Sequence, residues 1–229
     1  MAGHLNPGGQ QFRGDRGGAD PAVTAALAAY QAGQGSELAA LTALSAARLL
    51  VPVIAVLGEQ SETAHGDKDS EMVLPTLIGR DGRPAVIAFT GLDTLARWRP
   101  DARPVPAKAD RVWRAAVADG CAVVIDVAGP VPLAVEGTRL AALAAGQPVP
   151  PPHEDPDVHA EVQAAIAAEP AIAGFRLGPA TPGTDLAITL RLASDGKADP
   201  GPAVNRAAAG IAARLGTRLR RGIEVIVAG

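Results

Sequence analysis

Two side chains in this 229-residue chain have the chemistry of a reactive site, Cys121 and Asp126. A nucleophilic cysteine needs a cationic or helix N-terminal setting, whereas Cys121 opens the apolar run CAVVIDV, which favours a small buried side chain. Asp126, late in the same run, occupies a position at which α/β proteins place functional carboxylates. Because no second acid, lysine or histidine lies nearby in the sequence, we expect Asp126 to bond the turn at 129–131. A functional role for this carboxylate is the alternative.

The patterns that could ligate a metal are incomplete. The loop at 59–71 carries six acidic or histidine side chains, but it lacks the glycine and the glutamate that an EF-hand requires. His153 and His159 are six residues apart across a proline, whereas a helical zinc pair needs a spacing of four. We therefore expect a solvated acidic loop, a helix N-cap at Asp155 or Asp157, and no bound metal or cofactor.

Three arginines near the C-terminus form a modest cationic edge. Arg214, Arg218 and Arg221 fall within about 60° of one another on a helix predicted over 202–221. Cations at the carboxyl end of a helix complement its dipole, which predicts a stabilising role. A contact with phosphate or RNA is the alternative that this edge leaves open.

Composition excludes several classes of protein. The net charge is −3 and the pI is near 5.8, so the strong basic footprint of a nucleic-acid-binding protein is absent. One cysteine excludes an internal disulfide. No run approaches the roughly 20 apolar residues of a membrane span, and the polar, glycine-rich N-terminus lacks the core of a signal peptide. We expect a soluble cytoplasmic protein without membrane contact.

The elements that must position these residues are short helices and strands separated by prolines and glycines. We predict an α+β fold, with a small mixed sheet and flanking helices in an N-terminal domain and the order α-β-β-α-β in a smaller C-terminal domain. The expected divisions are a flexible tail at 1–20, the first domain at 21–146, a proline-rich linker at 147–157 and the second domain at 158–229. A proline-rich turn is expected to end at Pro106.

The strongest local signal is the pair Asp81-Gly82 between two apolar runs. This pair predicts a β-hairpin, because a type I′ turn needs positive φ at both central residues. Pro84 cannot donate a ladder hydrogen bond, so it is expected at the start of its strand or on an edge. A short helix follows, with Thr90 or Asp93 as its N-cap.

The groove beside this helix is the predicted contact surface of the first domain. Its residues are Phe89, Thr90, Leu92 and Trp98, with Arg97 and Arg99 on either side of the tryptophan. We expect the ring of Trp98 to pack on the core while the two arginines face water, where they are available to a partner.

Three segments together resemble the SseB family, whose name comes from enhanced serine sensitivity, and in particular its actinobacterial branch. They are LLVPVIAVLGE at 49–59, LPTLIGRDGRPAVIAFTGLDTLARW at 74–98 and VVIDVAGPVPLAV at 123–135. The resemblance covers about 22–145, and Asp126-Val127 stands where enterobacterial members carry an Asn-Pro pair. The family has no agreed catalytic residues, so the resemblance implies none here.

We predict a non-enzymatic binding or adaptor module whose partner is a protein. One alternative is a small-molecule sensor of amino-acid type, with its ligand between the domains near Asp126 and Arg99. Another is a translation- or RNA-associated factor that uses the edge from Arg214 to Arg221. A hydrolase or transferase is disfavoured, because the sequence has no Walker loop, nucleophile elbow or metalloprotease motif.

Overall fold

A computed structural model of the chain describes residues 14–53, 76–79, 82–193 and 199–228. These ranges contain seven helices and nine strands, and the strands form three small sheets, which confirms the predicted α+β fold. The helices are α1 (Pro21–Gln31), α2 (Glu37–Ser45), α3 (Leu92–Trp98), α4 (Ala109–Ala118), α5 (Gly137–Ala145), α6 (Pro156–Ile166) and α7 (Gly201–Leu215). The strands are β1 (Arg48–Val53), β2 (Thr76–Ile78), β3 (Pro84–Ala88), β4 (Arg103–Lys108), β5 (Ala122–Ile125), β6 (Leu133–Val135), β7 (Ile172–Gly178), β8 (Leu186–Leu192) and β9 (Ile223–Ala228).

The chain divides into two compact units. The first contains residues 1–24 and 44–147, and the second contains 25–43 and 148–229. The segment 25–43, which the sequence suggested for the first domain, is thus grouped with the C-terminal part of the chain. The acidic loop expected at 59–71 lies outside the described residues.

The first unit is built on a mixed sheet in the order β2-β3-β5-β6. The predicted hairpin is confirmed by antiparallel pairing of β2 with β3, and Pro84 opens β3 as expected. Asp81 lies outside the described residues. The Gly79 N–H donates to the Arg83 carbonyl, so three residues separate the paired positions and the two-residue type I′ turn is not formed. Strands β3 and β5 are parallel, so their carboxyl ends meet at one edge of the sheet. A buried cluster lies near this edge and consists of Leu50, Ile87, Phe89 and Leu95.

The proline-rich stretch before α4 is a strand, so the predicted turn through Pro106 is wrong. It forms β4, which pairs antiparallel with β1 and places Pro104 opposite Pro52 and Pro106 opposite Leu50. Leu50 exchanges both of its main-chain hydrogen bonds with Phe89, at 2.7 and 2.8 Å, so its N–H and C=O groups point away from β4. Opposed residues of an antiparallel pair direct their main-chain groups either both toward each other or both away from each other. The nitrogen of Pro106, and that of Pro104 two residues earlier, therefore points away from β1, at positions where the pairing needs no N–H.

From residue 148 onward the second unit has the predicted order α-β-β-α-β, formed by α6, β7, β8, α7 and β9. Its sheet is β7-β8-β9, with β7 antiparallel and β9 parallel to β8. Apolar side chains of α6 and α7 pack on one face of the sheet, where Val162 and Ile211 share a buried cluster with Ile188 of β8. Asp155 is the N-cap of α6 and accepts a hydrogen bond from the Asp157 N–H at 2.9 Å, as the sequence predicts.

The last helix is shorter than predicted. It ends at Leu215 rather than at Arg221, and the chain then turns toward β9. Gly222 lies in this turn with φ of 104°, a conformation that favours glycine.

Arg218, in the turn between α7 and β9, joins the N-termini of two helices. Its guanidinium lies 3.1 Å from the Glu37 carboxylate, in the first turn of α2, and 2.8 Å from the Asp155 carboxylate at the start of α6. Both carboxylates are buried. Burial of Arg218 opposes its charge, but Glu37 and Asp155 outweigh this effect and raise the pKa of the guanidinium.

Arg218→Ala is expected to lower the free energy of unfolding by about 3–5 kcal/mol, because two buried carboxylates lose their cation. Arg214→Ala is the matched control. Its partner Glu161 is 2.8 Å away and both side chains are 45 % exposed, so we expect a loss of about 1 kcal/mol or less. Urea denaturation of both variants measures the difference, and equal losses would contradict the role given to Arg218.

Asp185 is a buried carboxylate at the start of β8. Its Oδ2 accepts a hydrogen bond from the Arg221 N–H at 2.9 Å, and its Oδ1 lies 3.8 Å from the Arg221 guanidinium. Burial raises the pKa of the Asp185 carboxyl above its ordinary value, and Arg221 offsets only part of this effect. The folded protein therefore holds a proton on Asp185 more tightly than the unfolded chain does.

The stability contributed by Asp185 is expected to rise as the pH falls through its raised folded-state pKa, and to level off below its unfolded-state pKa. Asp185→Asn keeps an oxygen that accepts from the Arg221 N–H but does not titrate. The free energy of unfolding of the wild type minus that of the variant should thus increase on acidification. Urea midpoints of both proteins between about pH 7 and pH 4 test this, and a difference independent of pH would refute it.

Candidate functional site

The candidate site lies in the first unit, where the carboxyl ends of β3 and β5 meet. Thr90 follows β3 and Asp126 follows β5 directly, and the Asp126 N–H donates to the Ala88 carbonyl at 2.9 Å. Helix α3 begins just after Thr90, so its first turn lies over the same edge. We call Asp126, Thr90 and Thr94 the Asp126 corner.

Three donors converge on the carboxylate of Asp126, which is 4 % exposed. Its Oδ1 accepts from the Thr90 N–H at 2.8 Å and from the Thr94 hydroxyl at 2.6 Å. Its Oδ2 accepts from the Thr90 hydroxyl at 2.6 Å. The expected contact with the following turn is made by the main chain instead, because the Asp126 carbonyl accepts from the Gly129 N–H at 2.7 Å.

The corner requires an unusual backbone. Asp126 has φ of 50°, the left-handed region that aspartate tolerates better than most residues. Gly129 is close behind it, and a Cβ at that position would lie 2.9 Å from the Cβ of Asp126. A side chain at position 129 would thus displace the aspartate from its donors.

The threonine expected to cap α3 does not do so. The N-cap of α3 is Gly91, which has no side-chain cap, and Thr90 uses its hydroxyl for Asp126 instead. Thr94, which the sequence analysis did not single out, supplies the third donor from one turn further on. The sequence feature that could have pointed to Thr94 is its spacing of four residues from Thr90, which places a second hydroxyl in the first turn of the predicted helix.

Arg48 connects the Asp126 corner to the N-terminal segment. Its guanidinium donates to the Thr90 carbonyl at 3.0 Å and pairs with Asp15 at 2.8 Å. The Gly17 carbonyl accepts from the Leu92 N–H at 2.8 Å. The predicted tail is therefore held against the start of α3 over these residues, while 1–13 lie outside the described part.

Of the contact residues predicted around α3, some are buried and some are exposed to solvent. Phe89 and Thr90 are buried, at 0 % and 5 % exposure. Trp98 is half-buried and its ring centroid lies 5.5 Å from that of Phe89, so it packs on the core as expected. Arg97 and Arg99 are exposed, and Arg99 pairs with Asp101 at 3.1 Å.

The C-terminal arginines of the prediction belong to the second unit, and each faces a carboxylate. Arg214 pairs with Glu161 from α7, whereas Arg218 and Arg221 lie beyond the end of that helix. Arg221 faces Asp185, and Arg218 faces the two buried acids described above. The three side chains thus do not form one helical edge.

The remaining candidates for chemistry have structural contacts. Burial and the nearby charge of Asp119 raise the pKa of the Cys121 thiol, which disfavours the thiolate that a nucleophile needs. The His159 ring stacks on Phe175 with centroids 4.7 Å apart. Across 14–53, 76–79, 82–193 and 199–228, no group of three or more His, Cys, Asp or Glu side chains could hold a metal ion. No helix in those ranges is both long and apolar enough to cross a membrane.

Asp126→Ala is expected to lower the free energy of unfolding by about 2–4 kcal/mol, since the buried N–H and hydroxyl of Thr90 lose their acceptor. The Thr94 hydroxyl keeps the Gly91 carbonyl, at 3.0 Å. Asp126→Asn is the control, because its amide oxygen still accepts one bond and asparagine tolerates positive φ. We expect it to cost about 1–2 kcal/mol. Chemical denaturation compares the two, and an alanine variant as stable as the wild type would disprove the structural role of the corner.

Comparison with known proteins places the corner within a recognised domain. The family model described as SseB protein N-terminal domain matches residues 23–142, just over half of the chain. The match runs from within α1 to within α5 and includes the Asp126 corner and all of α3. No curated protein and no solved structure matched the chain. The chain therefore belongs to the SseB family.

Proposed function

We propose that this SseB-family chain is a non-enzymatic, cytoplasmic binding or adaptor module that contacts a protein partner through the exposed end of α3. The observation that carries this proposal is the contrast between two neighbouring places in the first unit. The polar groups of the Asp126 corner bond one another in the interior, whereas Arg97 and Arg99 extend into solvent beside the half-buried ring of Trp98.

The bonding of Asp126 argues against a role in acid–base catalysis. A general base must reach the proton that it abstracts from a substrate. The carboxylate of Asp126 already accepts three hydrogen bonds and is 4 % exposed. The raised pKa of Cys121 argues in the same way against a thiolate nucleophile.

The composition of the α3 surface supports a protein partner. Tryptophan and arginine are the residues most enriched at the energetic centres of protein interfaces. Phe89 holds the Trp98 ring from behind, which fixes its orientation before a partner arrives. Arg99 pairs with Asp101, which is 74 % exposed, and such an exposed ion pair is easily exchanged for a better one. An acidic protein surface fits this chemistry.

The alternative of an RNA-associated factor loses support from the second unit. Arg214, Arg218 and Arg221 are all engaged with carboxylates of the same unit. Phosphate contacts would have to compete with these ion pairs, and with two buried acids in the case of Arg218. The net charge of −3 adds no general attraction for nucleic acid.

Charge reversal at the α3 surface tests the proposal. The double variant Arg97→Glu with Arg99→Glu is expected to lose a co-purifying protein at least tenfold, because two rim cations are replaced by anions that repel an acidic partner. The double variant Lys108→Glu with Arg114→Glu makes the same charge change at exposed positions elsewhere in the unit. Quantitative mass spectrometry after affinity purification measures recovery, and circular dichroism confirms that both variants fold.

Recovery of the partner with the two double variants decides between two conclusions. Loss of the partner with the α3 variant alone supports the surface. Equal recovery with both variants, or equal loss with both, overturns it.

A further inference from the structure

Strand β9 is an edge of the second sheet, and its exposed side chains are apolar. Within the described part of the chain it pairs only with β8, so its other side carries free main-chain N–H and C=O groups. Ile226 and Val227 are each 43 % exposed and rank among the large exposed apolar side chains of the protein. Such an edge is a template for a further strand.

The opposite edge of the same sheet differs. Strand β7 has an irregular register between Ile172 and Gly174 and an exposed charge at Arg176, features that interrupt the addition of a strand. Strand β9, with sequence IEVIVA, has no proline, no register shift and one charged residue, Glu224. The two edges of one sheet thus differ in their capacity to pair.

We propose that β9 pairs antiparallel with β9 of a second copy of this chain, across a two-fold axis at Ile226, so that two three-stranded sheets become one. Antiparallel pairing around such an axis sets equivalent surfaces against each other and closes at two copies. This contact is separate from the α3 surface and does not depend on it.

The side chains of β9 select this register. With the axis at Ile226, the two Ile226 side chains face each other and Val227 faces Val225 of the second copy, so both exposed apolar residues are covered. Glu224 then lies opposite Ala228. With the axis at Val225, Glu224 would lie opposite Ile226, which sets a carboxylate against an apolar side chain.

Charge complementarity supports the same register. Arg191 is exposed on β8 directly beside Ala228, and both belong to the face of the sheet that carries Glu224 and Ile226. In the proposed pair, Ala228 separates Arg191 from Glu224 of the second copy. In the single chain the Arg191 guanidinium lies over β7 and donates a long bond to the Ala173 carbonyl at 3.4 Å. Alanine is too short to block a long arginine, so on dimerisation the guanidinium can turn across Ala228 and exchange this bond for the Glu224 carboxylate. In one chain Glu224 accepts from the Thr181 hydroxyl at 2.9 Å, a bond that leaves its other oxygen available.

Oligomeric state is the first test, with the full chain measured by sedimentation equilibrium from about 1 to about 200 µM, since a single strand pair is at the small end of interface size. The wild type is expected to approach twice its monomer mass as concentration rises. Ile226→Lys should remain at monomer mass, because two cations would meet on the axis. Ile78→Lys is the matched control, an edge-strand isoleucine that is 68 % exposed in the other unit, and it should dimerise as the wild type does.

Cross-linking is the second test and reports the register. In a Cys121→Ser background, Ile226→Cys should form an intermolecular disulfide under mild oxidation, because its Cβ atoms face each other across the axis. Glu224→Cys lies opposite Ala228 and should not. A wild type that stays monomeric, an Ile226→Lys variant that dimerises, or equal cross-linking at both positions overturns the proposal.

Discussion

The first unit depends on the buried carboxylate of Asp126. Strands β3 and β5 are parallel, so nothing in their ladder ties the loops that leave them. Asp126 does so, because one side chain accepts from the main chain after β3 and from a hydroxyl on α3. It thereby sets where α3 begins, which in turn places Trp98 on Phe89 and turns Arg97 and Arg99 toward solvent. The candidate binding surface is thus a consequence of a hydrogen-bonded interior.

In the second unit, the N-termini of two helices are oriented by a cation. Its helices α2 and α6 begin with acids that suit the positive end of a helix dipole but are buried. Arg218 compensates both charges from a turn that is far away in the sequence. In both units, therefore, a single charged group organises helix N-termini that apolar packing alone would leave without orientation.

Local chemistry was readable from the sequence wherever it acts within a few residues. The β2–β3 hairpin, Pro84 at the start of β3 and the Asp155 cap all follow from backbone preferences of single residues. The order of elements in the second unit was readable as well, because its apolar periods are clear. The partners of Asp126 were not, since Thr90 and Thr94 are more than 30 residues away and no local rule selects them. The pairing of Arg48 with Asp15 and the strand β4 were hidden for the same reason, because both depend on tertiary neighbours.

The prolines of β4 have a consequence for solubility. The nitrogens of Pro104 and Pro106 point away from β1, so neither residue offers an N–H on the outer side of the two-stranded β1–β4 sheet. Replacing either by a residue of high β-propensity would break no hydrogen bond between β1 and β4. It would nevertheless create a donor on an open edge, where other chains can attach. Selection at these two positions would then act on aggregation during expression as well as on folding, and a stability screen alone would miss that part of their role.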